Sequence, residues 1–159
     1  VQDNIDYILG TFGKALGSSG AFIACAEDTK DILINQCRSF IYSTALPIPI
    51  IAANKMAIQL ASKMETERLA LIERANVTRA LIKQLGLEVI GDSYINPVIL
   101  GSENDTIMLS QHIKDKGIIV SAIRPPTVAV GKSRLRISLT ALHTNSHINQ
   151  LIRSLNQNG

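Results

Sequence analysis

The sequence predicts an α/β fold. Short apolar runs of strand length open the chain and recur after residue 97. Longer stretches with apolar residues three and four apart lie between them, and glycines close those stretches before the next strand begins. Tyr7-Ile8-Leu9 reads as a short buried strand, followed by a glycine-rich stretch from Gly10 to Gly20 and a second buried strand over Ala21 to Cys25. Glu27 to Arg38 is helical, with Ile32, Leu33 and Gln36 on one side, and Phe40 to Thr44 is short and β-prone. Pro47 and Pro49 start a long helix through about Lys63, because proline is tolerated in a helix only in the first turn. A second helix, Glu67 to Leu85, lines up Leu71, Ala75, Thr78, Ile82 and Leu85 and ends at Gly86.

Beyond it, Pro97 to Leu100 is a strand, Thr106 to Lys116 a helix closed by Gly117, and Ile118 to Ile123 a strand. Arg134 to Thr140 alternates, placing Leu135, Ile137 and Leu139 on one face and Arg134, Arg136 and Ser138 on the other. The last helix, Asn145 to Asn156, sets Ile148, Leu151, Ile152 and Leu155 on one stripe. A seam is expected near residues 60–66, dividing 1–62 from a small α/β domain over 63–159.

Composition narrows the function classes. With 46% hydrophobic and 18% charged residues, the chain is not a disordered protein. A net charge of +3, 4% aromatics and no tryptophan argue against a nucleic-acid surface. No apolar run approaches the roughly 18–20 residues that cross a bilayer, and no basic-then-apolar signal opens the chain, so a cytoplasmic setting is expected. Cys25 and Cys37 lack metal-ligand spacing and read as buried free thiols.

Two phosphate-loop patterns fail on spacing. Gly131-Lys132-Ser133 ends like a nucleotide loop, but Pro126 stands where its first glycine belongs; after Lys14, Ala15 replaces the metal-binding hydroxyl. His112, His143 and His147 have no metal pattern and suit solvated or capping roles. Lys14 is read two ways from its own surroundings. It is an ordinary surface lysine, or a lysine held between small residues close to a ligand and partly desolvated, where the neutral, nucleophilic amine is favoured.

The residues around it break the tie. Thr11-Phe12-Gly13-Lys14-Ala15-Leu16-Gly17-Ser18-Ser19-Gly20 resembles the cofactor-lysine motif of the α-oxoamine synthases, enzymes of the fold-type I pyridoxal-phosphate class. Phe40-Ile41-Tyr42-Ser43-Thr44-Ala45-Leu46-Pro47 and Ala122-Ile123-Arg124-Pro125-Pro126-Thr127-Val128 agree in order and spacing, as do Ser133 to Ile137 and Thr140 to Thr144. Ala129, in place of a third proline, and Ile48, in place of a second consecutive proline, depart from the pattern and bear on loop stiffness only.

The resemblance implies the C-terminal part of such a transferase: residues 1–62 as the end of the large cofactor domain, 63–159 as the small C-terminal domain. It implies pyridoxal 5'-phosphate as cofactor, held covalently by Lys14, which also moves the substrate's α-proton. Thr11 would donate to the cofactor phosphate, and Ser43, with Thr44 as companion, would reach that of the neighbouring subunit in a homodimer. Arg136, Arg124 and Thr127 would bind substrate, the arginines through its carboxylate. Read without the family, Arg134 and Arg136 are an ordinary solvated strand face.

The wording from Ile123 to Val128 resembles the biotin-pathway branch, which condenses L-alanine with pimeloyl-CoA or a pimeloyl-carrier protein and releases CO2. A glycine C-acetyltransferase or a non-catalytic dimerising domain is the alternative. Family chains are more than twice as long, and their N-terminal part carries the acidic and histidine residues that face the cofactor ring. A chain opening at Val1 is therefore expected to have little activity alone.

Overall fold

The glycine-rich stretch is the loop of a hairpin. β1 (Ile8–Thr11) runs antiparallel to β2 (Ala21–Ala24), with Ile8 opposite Ala24 and Thr11 opposite Ala21. The computed structural model describes residues 4–156, and these divide into two compact units with the boundary between Glu65 and Thr66.

In the first unit the hairpin leads to α1 (Glu27–Gln36), α2 (Arg38–Ile41) and α3 (Ile48–Ala61). α1 opens on Glu27 and Asp28, where carboxylates meet the positive helix end, and Lys30 pairs with Glu27. Pro47 caps α3 and Pro49 sits in its first turn.

Two expectations are corrected here. The β-prone residues 40–44 form no strand: Phe40 and Ile41 close α2, and Tyr42 and Ser43 turn the chain away. Backbone bonds from Ile41 N to Cys37 O and from Tyr42 N to Arg38 O satisfy this segment locally, so it needs no ladder partner. The two strands of the hairpin are also not buried. Leu9 is 73% exposed and Ile23 49%, because a two-stranded ribbon with apolar residues on both faces finds no cover among the described residues.

The second unit is a four-stranded antiparallel sheet with three helices. β3 (Glu88–Val89), β4 (Ile95–Gly101), β5 (Ser121–Ile123) and β6 (Ser133–Ser138) lie in the order β3-β4-β6-β5. α4 (Glu65–Gln84), α5 (Glu103–Asp115) and α6 (Asn145–Leu155) supply the rest. Their apolar stripes meet the inner face of the sheet in one core: Ala75 and Ile82 from α4, Leu109 and Ile113 from α5, Ile148, Leu151 and Leu155 from α6, against Val98, Leu135 and Ile137. β6 keeps strict alternation, so Arg134, Arg136 and Ser138 turn away from that core.

Arg79 of α4 is buried and reaches Asn96 Oδ1 at 2.6 Å and the Ser93 carbonyl at 3.2 Å, tying the helix to the start of β4. The strand expected from residue 118 begins only at Ser121. The preceding backbone bonds to α5 instead, through Ile118 N to Ile113 O and Ser110 Oγ to Val120 O.

α6 starts with a reciprocal cap: the Thr144 hydroxyl accepts from His147 N, and His147 Nδ1 accepts from Thr144 N. Thr144→Ala removes one half of it and is expected to cost about 1 kcal/mol of stability, read by urea denaturation.

Candidate functional site

The loop that carries Lys14 is closed by its own backbone. Phe12 N donates to Gly20 O at 2.9 Å, Ser18 N to Phe12 O at 2.9 Å and Gly17 N to Lys14 O at 3.0 Å. Phe12 is its anchor, buried and packed on Phe22 with ring centroids 5.3 Å apart. Gly20 is required by its backbone, at φ +97°, where a Cβ would also lie 2.6 Å from Leu46 Cδ1, and a Cβ on Gly10 would have to push the Phe22 ring aside.

This frame holds Thr11 and Lys14 on one turn, both exposed. The Lys14 side chain is open to solvent, and among the described residues its amine has no hydrogen bond or ion pair. A free amine on a self-braced loop, with a hydroxyl three residues earlier, is a donor set that fits an aldehyde cofactor bearing a phosphate.

Ser43 and Thr44 follow α2 on a separate loop of the same unit, also exposed. The Ser43 hydroxyl donates to the Ser39 carbonyl. A phosphate only accepts, so Ser43 must release that bond to donate to one.

In the second unit, Arg136 stands on the outward face of β6, between Pro97 of β4 and Ser121 of β5. Arg134, on the same face, is engaged: its Nε donates to Lys132 O at 3.0 Å. The Arg136 guanidinium has no hydrogen-bond partner among the described residues, which distinguishes two guanidiniums that the sequence pattern leaves equivalent. Arg124 is the first residue past β5, and its carbonyl accepts from Thr127 N at 3.0 Å, folding Thr127 back over a Pro125-Pro126 pair joined by a cis bond. Both side chains are exposed.

The histidines His143 and His147 serve as local caps, since Nδ1 of His143 accepts from Thr140 N at 2.9 Å. The cysteines are half-buried, not buried as expected. The Ser39 hydroxyl, 3.3 Å from Cys37 Sγ, and then the Phe40 N–H hold the Cys37 thiol below its usual pKa; slight burial acts the other way. Ser39→Ala is therefore expected to slow iodoacetamide labelling of Cys37 severalfold at pH 7 and leave it unchanged at pH 10, where the thiolate predominates in both forms.

Asn54 was not singled out by sequence reasoning. Its signal is a lone amide inside the apolar run Ile50 to Ala57, interrupted otherwise only by Lys55.

The hairpin with its lysine loop and the helix-covered sheet are parts of the fold of pyridoxal-phosphate-dependent transferases. The chain belongs to the aminotransferase class I and II family, whose model matches residues 1–155. It is 39% identical over 158 residues to the 8-amino-7-oxononanoate synthase of Cellvibrio japonicus, covering 98% of this chain and 39% of that one. To the 8-amino-7-oxononanoate synthase of Trichlorobacter lovleyi it is 40% identical over 154 residues, covering 95% and 39%.

Among solved structures, the 8-amino-7-oxononanoate synthase of Francisella tularensis matches with a TM-score of 0.83 at 28% identity, over 96% of this chain and 45% of that one. A serine palmitoyltransferase solved with pyridoxal phosphate matches at 0.84 and 28%, over 96% and 39%. The serine palmitoyltransferase of Sphingomonas wittichii shares the fold at 0.91 and 24%, over 98% and 40%. The chain spans about two fifths of the length of the curated relatives it matches.

Proposed function

We propose that this chain supplies the lysine loop and the carboxylate-binding strand of an 8-amino-7-oxononanoate synthase, a transferase that joins L-alanine to a pimeloyl thioester with loss of CO2. The observation that carries the reading is the hairpin loop presenting an unpartnered Lys14 three residues after Thr11, in a chain 39% identical to an enzyme of that name. Pyridoxal 5'-phosphate, when bound, supplies an electron-withdrawing ring that stabilises negative charge at the amino-acid α-carbon.

Lys14 would hold the cofactor through its amine and would take the substrate's α-proton. Thr11 donates its hydroxyl to the phosphate. Ser43, with Thr44 beside it, donates to the phosphate held by a second subunit, so the working form is a homodimer. Arg136 grips the alanine carboxylate, Arg124 reaches it from the proline loop, and Thr127 lines the same loop. The setting that fits such a biosynthetic enzyme is the cytoplasm.

The test is a chimera in which this chain replaces the matched residues of the Cellvibrio japonicus relative. The expected result is formation of 8-amino-7-oxononanoate from L-alanine and pimeloyl-CoA with pyridoxal phosphate present. A folded chimera that instead turns over glycine and acetyl-CoA, or neither pair, overturns the assignment.

A further inference from the structure

Asn54 is the buried residue of α3, 7% exposed in a helix whose other faces are open. Burying an amide costs free energy unless its groups are bonded, and alanine at this place would avoid that cost. What the amide provides is a single long-range bond: its Nδ2 donates to the Ser19 carbonyl at 3.1 Å, across 35 residues of chain.

The loop's own N–H groups do not reach that carbonyl. The carbonyls of Phe12, Lys14 and Gly20 accept from N–H groups of the loop, whereas Ser19 O accepts from Asn54. A second observation points to the same place. Ser18 Oγ and Asn54 Oδ1 are both buried without a hydrogen-bond partner, a hydroxyl with a proton to give and a carbonyl with lone pairs to take, on the two segments that this bond joins. The contact is thus a polar junction between α3 and the glycine-rich loop, at the one buried position of a mostly apolar helix.

We propose that Asn54 is a positioning residue for Lys14. It braces the Ser18–Gly20 side of the loop against α3, so that the loop's own bonds, from Ser18 to Phe12 and from Gly17 to Lys14, hold the lysine in one place. The loop has nine residues between β1 and β2, three of them glycine, and without an external strut it is held by three backbone bonds and the Phe12 anchor at one end. The functional consequence rests on the cofactor reading above, while the mechanical one does not.

The experiment uses the 159-residue chain and two variants. Asn54→Leu keeps the volume and packing and removes the donor; Asn54→Ala removes the same donor without adding apolar branches. Two readouts are taken: amide hydrogen exchange, and the rate at which pyridoxal phosphate with borohydride labels Lys14, located by peptide mass spectrometry with Lys63 as internal reference. Both variants are expected to speed exchange at Gly17 and Ser18 about tenfold and to slow Lys14 labelling about fivefold, with Cys37 N–H at the end of α1 and Lys63 unchanged.

Wild-type protection at Gly17 and Ser18 in Asn54→Leu means that Asn54 only fills space, and overturns the proposal. A rise in exchange that includes Cys37 to the same degree overturns it too, because Asn54 then holds the whole unit. If wild-type Lys14 takes up label no faster than Lys63, the functional half of the proposal fails, the cofactor reading is decided by the chimera, and the exchange pattern still decides the mechanical role of Asn54.

Discussion

Lys14→Ala is expected to abolish turnover in the chimera while leaving the fold untouched. Two functions are lost together: the covalent hold on the cofactor and the group that takes the α-proton. Losing a positioned base alone typically costs 10²–10⁴-fold in rate, so about 10⁴-fold or more is expected for both. Stability should move by no more than about 0.5 kcal/mol, the range for surface positions, because the Lys14 side chain is exposed and has no partner among the described residues. Lys14→Arg separates chemistry from charge: it keeps the positive side chain, cannot form the covalent link under these conditions, and should be equally inactive. Steady-state turnover with a urea melt of each variant decides the matter, and retention of more than a few per cent of activity would show that Lys14 is not the cofactor lysine.

Most elements of the second unit were legible because they carry a complete signal, whereas the two-residue β3 (Glu88–Val89) is too short to carry one. Leu135, Ile137 and Leu139 alternate with polar residues, and Ile148, Leu151 and Leu155 repeat at helical spacing; the structure buries all six. Glycine marks the ends of α4 and α5 through positive φ at Gly86 and Gly117.

The first unit was harder to read for a physical reason. Tyr7 to Thr11 and Ala21 to Ala24 are apolar on both faces, a pattern that identifies strands but presumes cover, and such cover is missing among the described residues. At Phe40 to Thr44 propensity pointed to a strand. Local helical bonds satisfied the backbone first, and propensity is a weak preference beside that.

The candidate site rests on wording, since the lysine motif proposes Thr11 and Lys14 by their place in a glycine-rich loop. Periodicity and spacing gave no such information for Asn54, whose role depends on a bond across 35 residues. Nor could they separate Arg134 from Arg136, which share one face of one strand and differ only in what their side chains reach.

Arg136 is expected to contribute more than Arg124 to L-alanine binding. Arg136 lies in the middle of β6, paired to β4 through Pro97 and to β5 through Ser121, with Leu135 and Ile137 fixed in the core on either side. Its backbone is set before substrate arrives, and its guanidinium is free to meet a carboxylate through two parallel N–H donors. Arg124 begins the loop beyond β5, where no ladder partner holds it. Part of any contact it makes is spent on ordering that segment.

Losing a desolvated charge-assisted contact costs about 2–5 kcal/mol, and losing a mobile one about 1–2 kcal/mol. At about 1.4 kcal/mol per tenfold, Arg136→Ala should weaken alanine binding by about a hundredfold or more and Arg124→Ala by about tenfold. Arg134→Ala, which removes a guanidinium already tied to Lys132 O, should change it little and controls for loss of charge on this face. Arg136→Lys keeps the charge but not the fork, and should fall between wild type and Arg136→Ala. Titrating L-alanine into the cofactor-loaded chimera and following the cofactor's visible absorbance measures all four. Equal weakening by the two alanine variants, or a larger loss for Arg124→Ala, would make the proline loop the primary carboxylate clamp.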